Sequence, residues 1–239
     1  CLIDPKAVPR LEAVLDVVYN PFRTELLLRA EDCGVTAAGG FEMLVAQAVF
    51  AAEHFTGSTL DTDTLIPTIS RRLRHQLANV SLIGMPGCGK STVGAALAKR
   101  LDKRFVDLDA EIERRTGHNI PDIFAEEGEE AFRRYEAEVL AEVAKGNSQV
   151  IACGGGVVKN PANSRALRQN GPVLWVRRPL SRLATRGRPL SKGGEALRQM
   201  EAERTPLYTA AATAELENNA TLTEAVDKAC LLYTSDAAD

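Results

Sequence analysis

The run from Asn79 to Thr92, Asn-Val-Ser-Leu-Ile-Gly-Met-Pro-Gly-Cys-Gly-Lys-Ser-Thr, limits the possible folds more than any other stretch of the chain. It reads as a buried strand over Val80–Ile83, a glycine-rich loop, and a helix starting near Gly89. Gly84, Gly89, Lys90 and Ser91 fill the pattern G-x-x-x-x-G-K-[ST]. Glycines let the backbone curl so that successive N–H groups face phosphate oxygens, and the helix N-terminus adds partial positive charge. Lys90 can then reach the β- and γ-phosphates while the Ser91 hydroxyl ligates Mg²⁺. A plain glycine turn does not account for the Lys-Ser pair. The stretch predicts a site for ATP or GTP, and with no Asn-Lys-x-Asp to read guanine a GTPase is disfavoured.

The chain after this stretch alternates. Helix 89–101 precedes a strand over Phe105–Leu108, then helices at 110–116, 121–126 and 129–144. A strand over Val150–Cys153 runs into Gly154-Gly155-Gly156. A helix near 163–169, a strand over Val173–Val176 and a helix after Pro179 follow. Next come a polar loop at 187–194, a helix ending near Arg204, a strand near 214–216 and a helix from Thr223. Strands separated by helices predict an α/β fold, a parallel sheet with helices on both faces and ligands beyond the strands' carboxyl ends.

Upstream, Val14–Val18 predicts a strand, and Thr24 a cap for a helix running to Cys33 with Gly34 behind it. Phe41, Leu44, Val45, Ala48, Val49, Ala52 and Phe55 form a helical stripe ended by Gly57. Residues 58–78 turn to Thr, Asp and Ser, a linker with a short helix at its end. Its cluster Arg71-Arg72-Leu73-Arg74-His75 reads as a solvated face rather than a nucleic-acid contact.

At a net charge of −3 the chain suggests neither a nucleic-acid nor a membrane partner, and no apolar run of spanning length occurs. Five cysteines (Cys1, Cys33, Cys88, Cys153, Cys230) without C-x-x-C spacing fit a reducing, cytoplasmic setting. The chain opens on Cys1, as a fragment does, and 230–239 reads as a translated adaptor tail set apart from the fold.

Four further groups of residues could carry chemistry. Asp107-Leu108-Asp109 puts two carboxylates on one side of a strand end, either solvated and capping the next helix or serving Mg²⁺ and an acceptor hydroxyl. Glu129–Arg133 and Glu130–Arg134 are i,i+4 pairs, either surface salt bridges or a frame that turns one Arg inward to fork a carboxylate. The Gly154 triplet is a mobile turn or a point of close ligand approach. The basic loop from Gly187 to Gly194 is a plain loop or a lid carrying Arg188.

Together these residues resemble the shikimate kinases over about 79–229. The carriers are Gly-Met-Pro-Gly-Cys-Gly-Lys-Ser-Thr, Asp-Leu-Asp, Gly-Glu-Glu-Ala-Phe-Arg-Arg-Tyr-Glu, Gly-Gly-Gly, Arg-Pro-Leu and Glu-Arg-Thr-Pro-Leu-Tyr, in that order. The resemblance implies a P-loop kinase fold and transfer of the ATP γ-phosphoryl group to the 3-hydroxyl of shikimate. It implies that Asp109, Arg133, Gly155 and Arg204 bind shikimate, the two arginines taking its carboxylate and Asp109 its hydroxyls, with Asp109 as a possible base. Gly87, Cys88, Gly89, Lys90, Ser91 and Thr92 would hold ATP, Ser91 and Asp107 would serve Mg²⁺, and Arg188 would reach the γ-phosphate. Lys90, Asp109 and Arg188 are the implied catalytic set. The lid between Leu183 and Arg188 is short for the family, which leaves Arg186 as the candidate to stack on adenine.

Residues 1–57 resemble the C-terminal end of a shikimate dehydrogenase, on Asp-Val-Val-Tyr-Asn-Pro with Thr24, and on Gly-Phe-Glu-Met-Leu-Val-Ala-Gln-Ala from Gly40. That resemblance implies a small α/β remnant in which Tyr19 and Gln47 touch shikimate. The catalytic Lys and Asp and the NADP-binding loop would lie upstream, so the remnant is expected to be inert. Rival readings are another small-molecule P-loop kinase, a dehydrogenase as the chief activity, and a nucleotide-sensing module without catalysis.

Overall fold

A computed structural model describes residues 3–183 and 194–236. The chain divides into two compact units, the break falling between Ala78 and Asn79.

In the N-terminal unit, β1 (Ala13–Asp16), α1 (Glu25–Asp32) and β2 (Thr36–Gly39) form a parallel pair bridged by a helix, with Ala13 opposite Thr36. Thr24 caps α1 as predicted, accepting from the Leu27 N–H, and its hydroxyl donates to Asp16 Oδ2 at 2.7 Å, tying helix start to strand end. Strand β2 has no alternating pattern in its sequence, Thr-Ala-Ala-Gly, and was not predicted. The helical stripe is α2 (Phe41–Thr56), closed by Gly57 at φ 67°.

The predicted linker is instead largely a 16-residue helix, α3 (Thr62–Leu77). Asp61 caps it by accepting from Thr64 N–H, and Ile66, Ile69, Leu73 and Leu77 pack on Phe41, Val45 and Val49. Burial of that stripe outweighs Pro67 and the polar composition. Nor is the basic cluster wholly solvated: the Arg74 guanidinium lies 5.6 Å and 5.1 Å from the ring centres of Phe22 and Phe41.

The second unit runs β3 (Val80–Ile83), α4 (Lys90–Leu101), β4 (Arg104–Asp107), α5 (Leu108–Thr116), α6 (Ile120–Glu126), α7 (Gly128–Val143) and β5 (Gln149–Ala152). It continues through α8 (Pro161–Arg168), β6 (Val173–Arg177), α9 (Gly194–Ala211), β7 (Ala214–Glu217) and α10 (Leu222–Asp236). The strands form one parallel sheet in the order β4-β5-β3-β6-β7. Every residue of β3 and β5 is buried, as expected of central strands covered on both faces.

The amino edge of β3 is anchored by Asn79, itself buried. Its Nδ2 donates to Gly146 O at 2.6 Å, its Oδ1 accepts from Gln149 N–H at 3.0 Å, and its backbone N–H donates to Asn170 O at 2.7 Å. These bonds draw the entries to β5 and β6 onto the start of β3.

Three further expectations shift. After Pro179 the described residues form a 3-10 turn, Leu180–Arg182, before the described stretch stops at Leu183. Helix α9 passes through Pro206 rather than ending near Arg204, because Leu197, Arg204, Tyr208 and Ala211 are buried along one face and hold the last turns. Position 230 falls inside α10, whose Tyr233 is buried, so the expected tail is in part folded chain. Among the described residues no helix is long and apolar enough to cross a membrane.

Candidate active site

The loop leaving β3 has the backbone its glycines predict. Gly84, Gly87 and Gly89 sit at φ 142°, 83° and 100°, values that L side chains rarely adopt. Space closes the same positions: a Cβ on Gly84 would run into Val176 O, and one on Gly89 would lie 2.5 Å from Asn218 Nδ2. Gly89 then caps α4 with no side-chain hydrogen bond, leaving the helix's first N–H groups for an anion.

Lys90 is buried at 8% exposure. Its ammonium donates to Gly84 O at 2.9 Å and Met85 O at 3.0 Å, and lies 3.9 Å from Cys88 Sγ. Cys88 is buried, and its carbonyl accepts from Asn218 Nδ2 at 2.8 Å. Thr92 follows, exposed, in the first turn of α4. The Ser91 hydroxyl donates to Asp107 Oδ2 at 2.6 Å, so the two residues expected to serve a metal meet. Their donors are all oxygen, which suits a hard cation such as Mg²⁺.

Asp107 and Asp109 do not share a strand face. β4 stops at Asp107, which caps α5 by accepting from the N–H groups of Asp109 (3.1 Å) and Ala110 (3.4 Å). Asp109 therefore stands in the first turn of a helix, favoured there by the helix dipole. Asp107 thus meets both readings of the pair, its Oδ1 capping α5 and its Oδ2 facing Ser91.

Arg133 keeps the predicted pair with Glu129 and also reaches the buried Glu136. Its Nη1 donates to Glu136 Oε2 at 2.8 Å and its Nη2 to Glu129 Oε1 at 3.1 Å. Arg134 lies over the Tyr135 ring instead. Glu136 is 1% exposed, and its Oε1 is buried without a hydrogen-bond partner. Burial pushes its carboxyl above the usual range, against the pull of the Arg133 guanidinium, and the neighbouring Asp109 pushes the same way.

The glycine triplet after β5 packs among these side chains. A Cβ on Gly154 would lie 2.8 Å from Glu136 Oε1 and 3.0 Å from Asp109 Oδ1. One on Gly155 would lie 2.8 Å from the Pro86 ring of the phosphate loop, and one on Gly156 2.5 Å from Arg133 Nη2. None of the three needs a left-handed backbone; they are glycines because functional groups converge on them. The Gly155 carbonyl accepts from Arg204 Nη1 at 2.9 Å and from the Tyr208 hydroxyl at 2.6 Å. Arg204 is 5% exposed and its buried Nε has no partner.

The pieces lie close enough at the carboxyl ends of β3, β4 and β5 to act on one another electrostatically. Burial first, then Glu136, raises the pKa of the Cys153 thiol, which also feels Lys90, Asp109 and Asp107. Glu136 in turn feels Arg133, Asp109 and Arg204.

Arg186, Arg188 and most of the expected lid lie outside the described residues. Tyr19 and Gln47 are exposed residues of the N-terminal unit. Glu136, Tyr208 and Asn218, which adjoin these groups, were given no role from the sequence, although Glu136 and Tyr208 close two of the motifs that carry the resemblance.

The shikimate kinase family profile matches residues 86–233. A shikimate kinase of Symbiobacterium thermophilum is 45% identical over 144 residues, 56% of this chain and 83% of that protein. One from Clostridium botulinum (strain Alaska E43 / Type E3) is 40% identical over 154 residues, 62% of this chain and 93% of that protein. Among solved structures, the shikimate kinase from Acinetobacter baumannii in complex with shikimate aligns with a TM-score of 0.65 at 36% identity, over 69% of this chain and 97% of that one. The enzyme from Aquifex aeolicus aligns at 0.59 and 30% identity, over 67% and 98%.

Proposed function

The chain belongs to the shikimate kinase family, and we propose on that premise how its residues divide the work of phosphorylating shikimate with ATP. The backbone N–H groups from Gly87 to Thr92 cradle the triphosphate. Lys90 exchanges the Gly84 and Met85 carbonyls for the β- and γ-phosphate oxygens. Ser91 and Asp107 would hold Mg²⁺, which would supply positive charge against the phosphates. Arg133 and Arg204 grip the carboxylate of shikimate, and Asp109 orients its 3-hydroxyl and accepts the proton as the phosphoryl group arrives. The family resemblance assigns the γ-phosphate to Arg188, which lies outside the described residues.

The observation that carries this reading is the crowding around the glycine triplet. The buried Arg204 and half-buried Arg133 guanidinium groups and the carboxylates of Asp109 and Glu136 converge there, against Pro86 of the phosphate loop. Guanidinium pairs suit a carboxylate, and a carboxylate base suits a hydroxyl. ADP release with shikimate, compared with other polyol acids under the same Mg·ATP, tests it. Faster turnover of a different acceptor would support another small-molecule kinase. No ADP with any acceptor would support a nucleotide sensor.

For the N-terminal unit we propose the C-terminal segment of a shikimate dehydrogenase. The parallel β1–β2 pair joined through α1 favours that reading, with Tyr19 and Gln47 as former shikimate contacts. No NADP site is proposed here; shikimate with NADP should give no NADPH by absorbance, and NADPH formation would overturn the expectation of an inert remnant.

A further inference from the structure

A peptide group is planar and trans, so its C=O and N–H point in opposite directions. Whatever holds one end therefore aims the other. In the phosphate loop, the peptide joining Cys88 to Gly89 is held at its carbonyl end. Asn218 Nδ2 donates to Cys88 O at 2.8 Å, which directs the Gly89 N–H away from Asn218. Among the described residues that N–H has no hydrogen-bond partner. It directly precedes the first N–H groups of α4, which no side chain caps.

The hold matters because glycine gives this peptide a second choice. Turning it over changes chiefly the ψ of Cys88 and the φ of Gly89. Glycine takes a negative φ as readily as the present 100°. The turned peptide would present a carbonyl oxygen where an anion needs a donor.

Asn218 is itself fixed. It stands one residue beyond β7 at 7% exposure, and its backbone N–H donates to Arg177 O at 2.8 Å, at the end of β6. Its amide lies against the bare face of Gly89, 2.5 Å from where a Cβ would stand. The glycine at 89 thus admits the side chain that orients its own N–H.

We propose that Asn218 is a positioning residue: by holding the Cys88 carbonyl outward, it aims the Gly89 N–H at the β-phosphate before the nucleotide arrives. This rests on the shikimate kinase reading above. It applies to ADP as much as to ATP, because both carry that phosphate.

The test is calorimetry with ATP, ADP and shikimate, each alone, and steady-state kinetics on the full chain. Asn218→Leu keeps the bulk and removes the donor. Affinity for ATP and ADP should fall roughly tenfold, the effect of losing one charge-assisted hydrogen bond. The KM for ATP should rise with it while kcat stays within about twofold, since the bond is present before and during transfer. Shikimate affinity should not change. Asn218→Asp keeps the shape and reverses the polarity, because an ionised carboxylate accepts and cannot donate. Relative to wild type at the same pH, it should bind ADP more weakly than Asn218→Leu at about pH 8. It should recover toward about pH 5, as protonation restores a donor. An Asp variant no worse than Leu at any pH, or a shikimate loss matching the nucleotide loss, would mean a merely structural asparagine and overturn the proposal.

NMR on the wild type stands beside this if the variants fold poorly. The Asn218 amide protons should exchange slowly with and without ADP, and the Gly89 N–H resonance should move downfield when ADP binds. Rapid exchange at Asn218 in the ADP complex, or an unmoved Gly89 resonance, sinks the inference. A wild type that binds ATP with no effect of either variant refutes this inference alone; a wild type that binds neither ATP nor shikimate refutes the functional reading and this inference with it.

Discussion

The two units spend apolar surface and glycine differently. In the second unit every residue of the central strands β3 and β5 is covered. In the N-terminal unit β1 and β2 form a two-stranded parallel sheet, with Leu15 at 80% and the following Val17 at 69% exposure. Two strands alone seldom hold together in water, so this unit's order rests on α2 and α3 closing over Phe22, Phe41, Val45 and Val49. Glycines differ likewise. Gly34 and Gly57 in the first unit close helices into open space, whereas Gly154 and Gly156 in the second are walled in by the side chains of Glu136, Asp109 and Arg133. A sheet that is covered on both faces can spare its carboxyl edge for chemistry; a pair of strands that is not covered has no such rigid edge to build on.

The contrast can be broken most readily at Lys90. Lys90→Ala should lower turnover roughly 10²-fold or more, a few kcal/mol of barrier, while Gln47→Ala should leave it unchanged. A coupled ADP assay in which the two variants behave alike would erase the distinction. Gly154→Ala comes next. Its methyl group would press on Glu136 Oε1 and Asp109 Oδ1, and acceptor affinity should fall about tenfold, roughly 1.4 kcal/mol. Gly57→Ala should leave acceptor affinity alone and act only on helix stability, because that φ of 67° is strained for alanine but surrounded by space.

Glu136→Gln sharpens the comparison by asking whether a buried carboxyl serves its neighbour or the fold. It should raise the KM for shikimate several-fold through a loosened Arg133, with ATP affinity kept. Equal loss of both in calorimetry would mean a structural role.

The smallest effect is expected at Glu111, on the solvent side of α5. Hydrogen bonds from Arg114 and Arg115 lower its pKa from 4.5 to about 2. A carboxyl whose folded pKa is depressed contributes stability above its unfolded value and loses it as pH falls through the folded one. The contribution is present above about pH 4.5 and gone near pH 2. Because the pairs are exposed, Glu111→Gln should cost only roughly 0.5 kcal/mol at neutral pH. Thermal melts at pH 7 and pH 3 should show the wild-type advantage shrinking with acid; an advantage that grows would reverse the assignment.

What could be read from residue order was what short-range geometry dictates. The phosphate loop was legible because Gly84, Gly89, Lys90 and Ser91 act on one another across a few residues, and Thr24 and Gly57 were legible as helix caps for the same reason. Asp109 was read onto a strand end and stands instead in the first turn of a helix, because a carboxylate that ends a strand and one that begins a helix look alike two positions apart. Helix α3 was read mostly as linker since its polar residues dominate composition, while its apolar stripe matters only against α2. Tyr208 and Asn218 reach Gly155 and Cys88 across 53 and 130 residues. No local pattern encodes such a meeting; only the sheet order brings it about.

The anchoring of Asn79 has a bearing on how this molecule can change over time. Four residues separate that side chain from Gly84. Substitutions along the flanking helices can be absorbed by repacking, but the length of this segment cannot drift. One inserted residue would either reverse which way each following side chain points or drag the phosphate loop off its seat against Val176 and Trp175. The segment therefore behaves as a ruler, and lineages descending from this sequence should keep its residue count even where they have exchanged its residues.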